Sequence, residues 1–271
     1  MSKSKIKIIA EIGWNHMGNI NIAEKMIRAA KNSGADYAKF QTWQVKNLKP
    51  GPWDNDGRRE IYQKAEINKE THLKLKKICN KYKIKFLTSI FNPIDYEIIK
   101  SLKLDSIKIP SPENRNKELI KLCDKKFKNV YFSTGASKIS EIKNSYNLFK
   151  KKSKVTLMHC VSSYPCDDNI VNLPRLNKLK KITKNIGISD HTADILSCSL
   201  SLMTGVNLIE KHFTIDNNLP GRDNKFAILP KDLTQLVNSA NEFNLMFENK
   251  NKNFIKQEKE IRKIYTGRWS K

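Results

Sequence analysis

The chain of 271 residues is long enough for one large α/β domain or two small ones, and none of its apolar runs resembles a membrane span or a signal peptide. Its formal net charge of +24 could suit a nucleic-acid partner, but only eight of its 51 cations are arginine and the lysines are spread along helix-like segments, which favours solvated surfaces and no nucleic-acid partner. Five widely spaced cysteines without a C-x-x-C pair indicate reduced thiols in the cytoplasm.

Short β-branched runs alternate along the chain with amphipathic helical segments, which is the pattern of parallel βα units. The strand-like runs are 5–11, 36–42, 85–91, 106–111, 130–135, 155–163, 185–192 and 207–214. Eight strands with eight helices predict an α/β protein with a single (β/α)₈ TIM barrel over residues 1–249. The connection 45–68 is a long loop expected over the active-site face, and residues 250–271 are predicted to form a charged helical tail.

Two lysines interrupt apolar strands near their carboxyl ends, Lys39 in YAKFQ and Lys108 in IKIPS. Both are expected to point into the mouth of the barrel, the end where the carboxyl termini of the strands meet. An unpaired ammonium is costly there, so an anionic ligand would offset the cost. Together with several serines at strand ends, the lysines predict a substrate that carries phosphate or carboxylate.

Two histidines, His191 and His212, lie at equivalent ends of the last two strands. Neutral imidazoles that meet in one mouth favour a divalent metal, with water or substrate oxygens completing its shell. Asp190 and Glu210 are candidate neighbouring carboxylates. His159, in the middle of a strand, is interpreted as a packing residue.

Many separate motifs are similar to those of one family, in the same order and spacing from about Lys5 to Leu236. The motifs are IAEIGWNHMGNINIAEKMIRAAKNSGADYAKFQTW, KIPSPE, STGAS, LMHCVSSYP, GISDHT and IEKHFTIDNNLPGRD. They resemble the sialic acid synthase (N-acetylneuraminate synthase) family. The resemblance implies a (β/α)₈ barrel that condenses phosphoenolpyruvate with an N-acetylated amino sugar such as N-acetylmannosamine. The expected products are a nine-carbon 2-keto-3-deoxy sugar acid and phosphate.

Site residues follow from the resemblance, position by position. It implies that His191 and His212 are catalytic and bind a divalent cation, Mn²⁺ first, with Mg²⁺ or Co²⁺ as alternatives. The residues implied for phosphoenolpyruvate are Lys39, Ser89, Lys108, Ser111, Ser133, Ser162 and Ser189. Those implied for the sugar are Gln41, Phe91, Tyr164 and Asp223. Glu11 and Glu113 are both candidates for proton transfer, and the sequence does not rank them.

The chain departs from the family at two places. Pro110 and Pro112 stand where members often carry glycine, which removes the amide at 112 and stiffens the loop of Glu113. Members typically continue into a small antifreeze-like domain that supplies an arginine to the sugar site of a partner subunit, whereas this chain stops near the linker. Recognition would then be completed by the tail (with Arg262, Arg268 and Trp269), by a separate polypeptide or by a different acceptor, or it would be relaxed.

Alternative functions remain open from the sequence. A legionaminic or pseudaminic acid synthase would use a 2,4-diacetamido-trideoxy hexose in place of N-acetylmannosamine. A barrel that keeps the ligand site without chemistry is a second alternative, and a polyanion-binding module is a third. A homodimer through barrel helices, for example through ADILSCSLSLMTG (193–205), is possible.

Overall fold

Eight parallel strands close into one barrel, with each strand paired to its neighbours in chain order and β8 paired back to β1. This architecture is seen in a computed structural model that describes residues 5–150, 154–247 and 253–270. The strands are β1 (Lys7–Gly13), β2 (Tyr37–Thr42), β3 (Lys85–Ile90), β4 (Ser106–Ile109), β5 (Asn129–Ser133), β6 (Lys154–His159), β7 (Ile186–Asp190) and β8 (Leu208–His212). The predicted (β/α)₈ barrel is confirmed.

Ten α-helices lie in the described ranges, and eight of them surround the barrel. The surrounding helices are α1 (Ile20–Asn32), α3 (Lys69–Lys81), α4 (Tyr96–Ile99), α5 (Lys117–Lys126), α6 (Ile139–Tyr146), α7 (Arg175–Lys180), α8 (Leu196–Ser201) and α9 (Pro230–Met246). The other two are α2 (Arg58–Ala65), inside the long loop, and α10 (Lys256–Tyr265), in the tail. The predicted boundary between barrel and tail at 249/250 lies outside the described residues.

Helix α1 shows why these segments are helical and how they pack. The side chain of Asn19 accepts hydrogen bonds from the amides of Asn21 and Ile22, which caps the first turn. Ala23, Met26, Ile27 and Ala30 are spaced at three and four residues and are fully buried against the strands. The core therefore forms a shell between the outer faces of the strands and the helices.

The interior of the barrel is divided into an apolar lower part and a polar upper part. Six inward side chains form a closed apolar cluster: Ile9, Tyr37, Leu87, Tyr131, Met158 and Leu208. The two tyrosine hydroxyls in it hydrogen-bond to each other at 2.9 Å. The next inward positions, two residues further along each strand, are mostly charged or hydroxylated, because side chains of one face recur with a period of two. Polar chemistry is thereby confined to the mouth.

The long loop 45–68 is folded back on the barrel. Its base is closed by Glu66, whose carboxylate accepts a hydrogen bond from the amide of Val45 at 2.8 Å. Its helix α2 ends against Gly18, where an added Cβ would lie 2.2 Å from the carbonyl oxygen of Lys64. Gly18 also has φ of +77°, so a glycine is required there on both counts.

Helix α8 presents an apolar surface away from the mouth. Helix α8 buries Ser197, Cys198 and Ser201 against the barrel, whereas Leu196 and Leu200 on its other side are about half exposed. The apolar outer face of the 193–205 segment is therefore available for the predicted homodimer, which stays a prediction.

All five cysteines are buried and free. No helix in the described ranges is long and apolar enough to cross a membrane.

Candidate active site

Four charged side chains meet inside the barrel just above its apolar layer. They come from β1, β2, β4 and β8 and are Glu11, Lys39, Lys108 and Glu210, called here the inner charge cluster. Lys39 Nζ lies 2.7 Å from Glu11 Oε2 and 3.5 Å from Glu210 Oε1. Lys108 Nζ lies 2.8 Å and 2.9 Å from the two Glu210 oxygens. Gln41 Nε2 donates to Glu11 Oε1 at 2.7 Å.

The two carboxylates of the cluster differ in how readily they take up a proton. Burial raises the pKa of Glu11 above its usual value, since Lys39 offsets burial only in part and Glu210 adds repulsion. Burial acts on Glu210 in the same direction, but Lys108 and Lys39 outweigh it and hold the pKa of Glu210 at about 2. Two carboxylates whose pKa values differ in this way are suited to different roles in a reaction. Glu210 stays ionised, and Glu11 takes up a proton more readily than Glu210 does.

Serine hydroxyls surround the inner charge cluster. Ser189 Oγ donates to Glu210 Oε1 at 3.1 Å. Ser89 lies beside Lys108 in the strand register, and its buried hydroxyl has no hydrogen-bond partner in the described part of the chain. Ser133 is buried at the end of β5. An unpartnered hydroxyl inside a protein is costly, so Ser89 is suited to a ligand oxygen.

Two further serines meet above Gly135. The amide of Gly135 donates to Ser111 Oγ at 3.1 Å. A Cβ at Gly135 would lie 2.7 Å from Ser111 Oγ and 2.4 Å from Ser162 Oγ. Glycine therefore leaves room for both hydroxyls at the rim of the mouth, where an oxyanion can be bound.

The two histidines lie side by side at the opposite wall. Their ring centroids are 5.3 Å apart. His191 Nδ1 lies 2.7 Å from the carbonyl oxygen of Val161, so Nδ1 donates to it. Burial alone would lower the pKa of His191, but the neighbouring Cys160 outweighs burial and raises it. Burial, with repulsion from His191, lowers the pKa of His212 well below its usual value, so His212 is neutral. A metal ion could therefore bind His212 directly and His191 once its Nε2 has lost a proton.

A tyrosine and a carboxylate flank the histidines on the side of solvent. The ring of Tyr164 lies over His191, with centroids 4.1 Å apart, and it is half exposed. Asp223 Oδ2 lies 3.5 Å from His212 Nδ1 and accepts a hydrogen bond from the indole nitrogen of Trp14. Burial raises the pKa of Asp223.

An aromatic wall extends the mouth from Trp14 to the long loop. Tyr62, on α2, stacks on Trp14 with centroids 5.2 Å apart and planes inclined by 27°. The ring centroid of Trp43 lies 6.1 Å from that of Tyr62 and 6.0 Å from that of Phe91, and both contacts are edge to face. The four rings Trp14, Trp43, Tyr62 and Phe91 give this side of the mouth an apolar surface.

Comparison with known proteins identifies the family. The family model described as "NeuB family" matches residues 26–252. The chain is 35% identical over 248 residues to N,N'-diacetyllegionaminic acid synthase of Campylobacter jejuni, covering 86% of this chain and 74% of the relative. The chain belongs to the NeuB family. It is 31% identical over 238 residues to pseudaminic acid synthase of Helicobacter pylori, covering 82% of this chain and 69% of the relative.

A solved structure agrees with this assignment. The N-acetylneuraminic acid synthetase of Leptospira borgpetersenii superposes with a TM-score of 0.89 and 30% identity, covering 97% of this chain and 93% of that one. The chain is therefore an enzyme of the NeuB family, a synthase of the sialic-acid type. The relatives named above act on different sugars, so the acceptor is not given by the family.

Most of the residues expected at the site lie together in this NeuB-family barrel. Glu11, Lys39, Gln41, Ser89, Lys108, Ser111, Ser133, Ser162, Tyr164, Ser189, His191, His212 and Asp223 line the mouth, and Phe91 belongs to the aromatic wall. Glu113 is different, because its carboxylate accepts a hydrogen bond from Asn116 Nδ2 at 2.9 Å and is half buried at the rim. The roles of these residues stay predictions.

The tail is not seen at the mouth. Its guanidinium groups lie over rings of the tail itself, Arg262 over Phe254 at 5.1 Å and Arg268 over Trp269 at 5.3 Å. Nearly every described residue of the tail is exposed. The tail cations therefore take no part in the site as this structure places them.

One sequence-based expectation was wrong in detail. Lys39 and Lys108 are not unpaired, because Glu11 and Glu210 neutralise them across the barrel. The error arose because strand partners are known only once the barrel is closed. Asp190 is a neighbouring carboxylate, as expected, and it lies on the outer face of β7, where it pairs with Lys211.

Glu210, a candidate carboxylate from the sequence, lies in the mouth, because it precedes His212 by two residues and shares its face. Two residues of the site were missed as participants. Cys160 lies 3.4 Å from Ser111 Oγ, and although burial would raise the pKa of its thiol, His191 lowers it. Tyr62 gave no signal in the sequence, because its place depends on how the long loop folds back.

Proposed function

We propose that this NeuB-family enzyme condenses phosphoenolpyruvate with an N-acetylated amino sugar to form a nine-carbon 2-keto-3-deoxy sugar acid and phosphate. The observation that carries the proposal is the inner charge cluster, with two lysines and an unpartnered serine hydroxyl beside a histidine pair. Such a mouth can bind a small, doubly anionic substrate next to an electrophile. All five cysteines are free and buried, and we propose a reducing, cytoplasmic setting.

Phosphoenolpyruvate is placed by the lysines and serines. Lys39 and Lys108 donate hydrogen bonds to its phosphate and carboxylate, while Ser89 and the Ser111–Ser162 pair above Gly135 donate to its other oxygens. Glu210 is already paired with both lysines, so the anionic groups of the substrate enter a cluster whose net charge is close to zero. Binding is then specific for geometry rather than for charge alone.

A divalent cation, Mn²⁺ first, fits the pair His191 and His212. His212 is a neutral donor, and His191, whose Nδ1 is fixed by the Val161 carbonyl, would give up its other ring proton when the cation binds. In the described residues no group of three or more His, Cys, Asp or Glu side chains could hold a metal ion, so the remaining positions would be filled by water and substrate. When bound, the cation supplies a Lewis acid that polarises the aldehyde oxygen of the acceptor.

Proton transfer is assigned to Glu11 rather than to Glu113. In the reaction, carbon 3 of phosphoenolpyruvate bonds to the aldehyde carbon, water adds at carbon 2 and phosphate leaves. One proton must reach the new hydroxyl group and one must leave the water. Glu11 is buried beside Lys39 with a raised pKa, whereas Glu113 is engaged by Asn116 at the rim.

For the acceptor we favour a 2,4-diacetamido-trideoxy hexose over N-acetylmannosamine, which was the first expectation from the sequence. Two of the relatives are N,N'-diacetyllegionaminic acid synthases, at 35% and 32% identity. The aromatic wall offers an apolar surface, which suits methyl and acetamido groups better than an additional hydroxyl. Both sugars belong in the test.

The test measures phosphate release from phosphoenolpyruvate with Mn²⁺ and each acceptor in turn. Turnover is expected with the diacetamido sugar and is expected to fall by at least about a hundredfold in His191→Ala and His212→Ala. His159→Asn is the matched control, because that buried histidine bonds Val171 on the outside of the barrel. Full activity of both alanine variants contradicts the metal assignment. Binding of phosphoenolpyruvate and Mn²⁺ without turnover of any acceptor would instead support a non-catalytic barrel.

A further inference from the structure

A second group of buried charges lies directly behind the two histidines, on the outer faces of the same strands. Lys211 on β8 and Asp190 on β7 form an ion pair, and both side chains are almost completely buried. Lys211 Nζ also lies 2.6 Å from the carbonyl oxygen and 2.8 Å from the hydroxyl of Thr192. The Thr192 hydroxyl in turn donates to Asp190 at 2.6 Å. We call Asp190, Thr192 and Lys211 the outer clamp.

The position of the outer clamp gives it a geometric consequence. Asp190 and Lys211 form the last paired position of the β7–β8 ladder. His191 follows that position, so no ladder pairing to β8 holds its backbone. Lys211 instead donates hydrogen bonds to the residues on both sides of His191, to the carboxylate of Asp190 and to the carbonyl oxygen of Thr192. Since Lys211 is bonded directly to His212, one ammonium group links the backbones that carry both imidazoles.

Strand parity makes the link specific to the histidines. Successive side chains of a strand point to opposite faces, so Asp190 and Lys211 face the helices while their neighbours face the mouth. The clamp is closed off from the inner charge cluster and touches no predicted substrate group. Its hydrogen bonds therefore fix the backbone positions from which the two imidazole side chains extend. The distance between the two rings decides whether one cation can bind both.

We infer that Lys211 and Asp190 are positioning residues that set the spacing of His191 and His212 for a shared divalent cation. The inference rests on the proposed metal site. A buried ion pair alone is weak support for a role, because such pairs are often replaceable by apolar side chains without loss of stability. The experiment must therefore separate positioning from folding.

The test uses the full-length protein, freed of metal, and titrates it with Mn²⁺ alone in a calorimeter well below its melting temperature. Lys211→Met is expected to weaken Mn²⁺ binding by about tenfold or more, as losses behind metal ligands do. Asp190→Asn keeps the size of the side chain and part of its hydrogen bonding, so its Mn²⁺ affinity is expected to fall only about threefold. Lys128→Met is the matched control, since it breaks the exposed 2.8 Å pair with Asp105 at the opposite end of the strands.

The double variant Asp190→Leu with Lys211→Met separates the two roles. It leaves no unpaired charge, so its melting temperature is expected to return towards that of the wild type while Mn²⁺ binding stays weak. The visible spectrum of the Co²⁺-loaded double variant is expected to differ from that of the wild type, since it reports ligand geometry. If Lys211→Met fails to fold, the double variant and Asp190→Asn decide the question.

Two results overturn the inference, and they can be told apart. Mn²⁺ affinity within twofold of wild type in the folded variants, or full recovery of it in the double variant, shows that the clamp serves folding alone. Absence of Mn²⁺ binding by the wild-type protein removes the metal site itself and the inference with it.

Discussion

The inner charge cluster and the outer clamp are equally buried, yet they are built differently. In the outer clamp one lysine meets one aspartate, and a hydroxyl and a carbonyl complete the bonds of the ammonium group. In the inner charge cluster two lysines share two carboxylates at unequal distances, and a hydroxyl beside them has no partner in the described part of the chain. One group is complete by itself, and the other still has bonds to make.

The difference teaches which buried charges indicate chemistry. Burial alone marks both groups, and an ion pair can serve only to hold two strands together. One carboxylate of the inner charge cluster stands apart, because burial raises the pKa of Glu11, whereas lysines hold the pKa of Glu210 at about 2 and lower the pKa of Asp190 in the outer clamp. A carboxylate whose pKa burial raises can take part in proton transfer more readily than one that is held ionised.

The largest expected effect is on activity, from Glu210→Gln. Removing this charge leaves Lys39 and Lys108 facing each other without their shared counterion, which disturbs phosphoenolpyruvate binding and geometry together. We expect kcat/KM to fall about a thousandfold, which corresponds to about 4 kcal/mol of transition-state stabilisation. The measurement is phosphate release under saturating Mn²⁺.

The control for that experiment is Glu97→Gln, which breaks an exposed pair with Lys100. It is expected to retain wild-type activity. A kcat/KM of Glu210→Gln within tenfold of wild type would show that the inner charge cluster, like the outer clamp, takes no direct part in catalysis.

The next largest effect is on the free energy of unfolding, from Lys211→Met. Leaving the buried Asp190 carboxylate without its cation is expected to cost about 3 to 5 kcal/mol, whereas Asp190→Leu with Lys211→Met is expected to be close to neutral. Urea denaturation of the three proteins measures both values. Equal losses in the single and double variants would mean that the pair itself stabilises the barrel.

A third prediction concerns how stability depends on pH. Glu210 has a lowered pKa, so it contributes stability above the unfolded value of 4.5, and the contribution is lost as pH falls towards about 2. Glu11 has a raised pKa, so it costs stability at neutral pH, and the cost disappears as pH falls towards 4.5. Each unit of separation corresponds to about 1.4 kcal/mol.

Substitution should therefore have opposite signs for these two residues. At pH 7, Glu11→Gln is expected to leave the protein as stable as wild type or more so, and Glu210→Gln to destabilise it. Urea midpoints from about pH 2 to pH 7 measure the trend, because the contribution of Glu210 changes only below its unfolded value of 4.5. Parallel curves for the two variants would refute the different protonation of the two carboxylates.

The smallest expected effect is on acceptor binding, from Tyr62→Ala. Loss of the ring that stacks on Trp14 opens the aromatic wall, and stacking of this kind is worth about 0.5–1.5 kcal/mol beyond the buried area. The KM for the diacetamido sugar is expected to rise about tenfold and the KM for phosphoenolpyruvate to stay within twofold. Tyr62→Phe keeps the ring and should behave as wild type; a loss there would point to the hydroxyl.

The eight strands and the helices between them could be predicted because each repeat carries its own local pattern. Runs such as KFLTSIF and amphipathic segments such as that of α1 need no distant partner to be recognised. Helix α2 was hidden in a loop rich in Pro, Gly and Asp, since it packs by a tyrosine and a glycine contact rather than by an apolar stripe. The local pattern is weak there.

The residues of the mouth were predictable, but the partners of those residues were not. Lys39 and Lys108 were correctly placed in the barrel from their apolar surroundings. That Glu210 would lie between them depends on β8 closing against β1, which no local pattern shows. The same holds for Lys211, whose position beside His212 suggested nothing about Asp190 until the β7–β8 register was fixed.

The pairing of β1 with β8 also has a consequence for folding. Glu11 is the register partner of His212, and Asn15 Nδ2 donates to the Phe213 carbonyl across a separation of 198 residues. Contacts of such high sequence separation form only when the two ends of the chain meet, and they carry the loop-closure cost of the whole barrel. Closure of this seam is therefore what brings Glu11 next to His212.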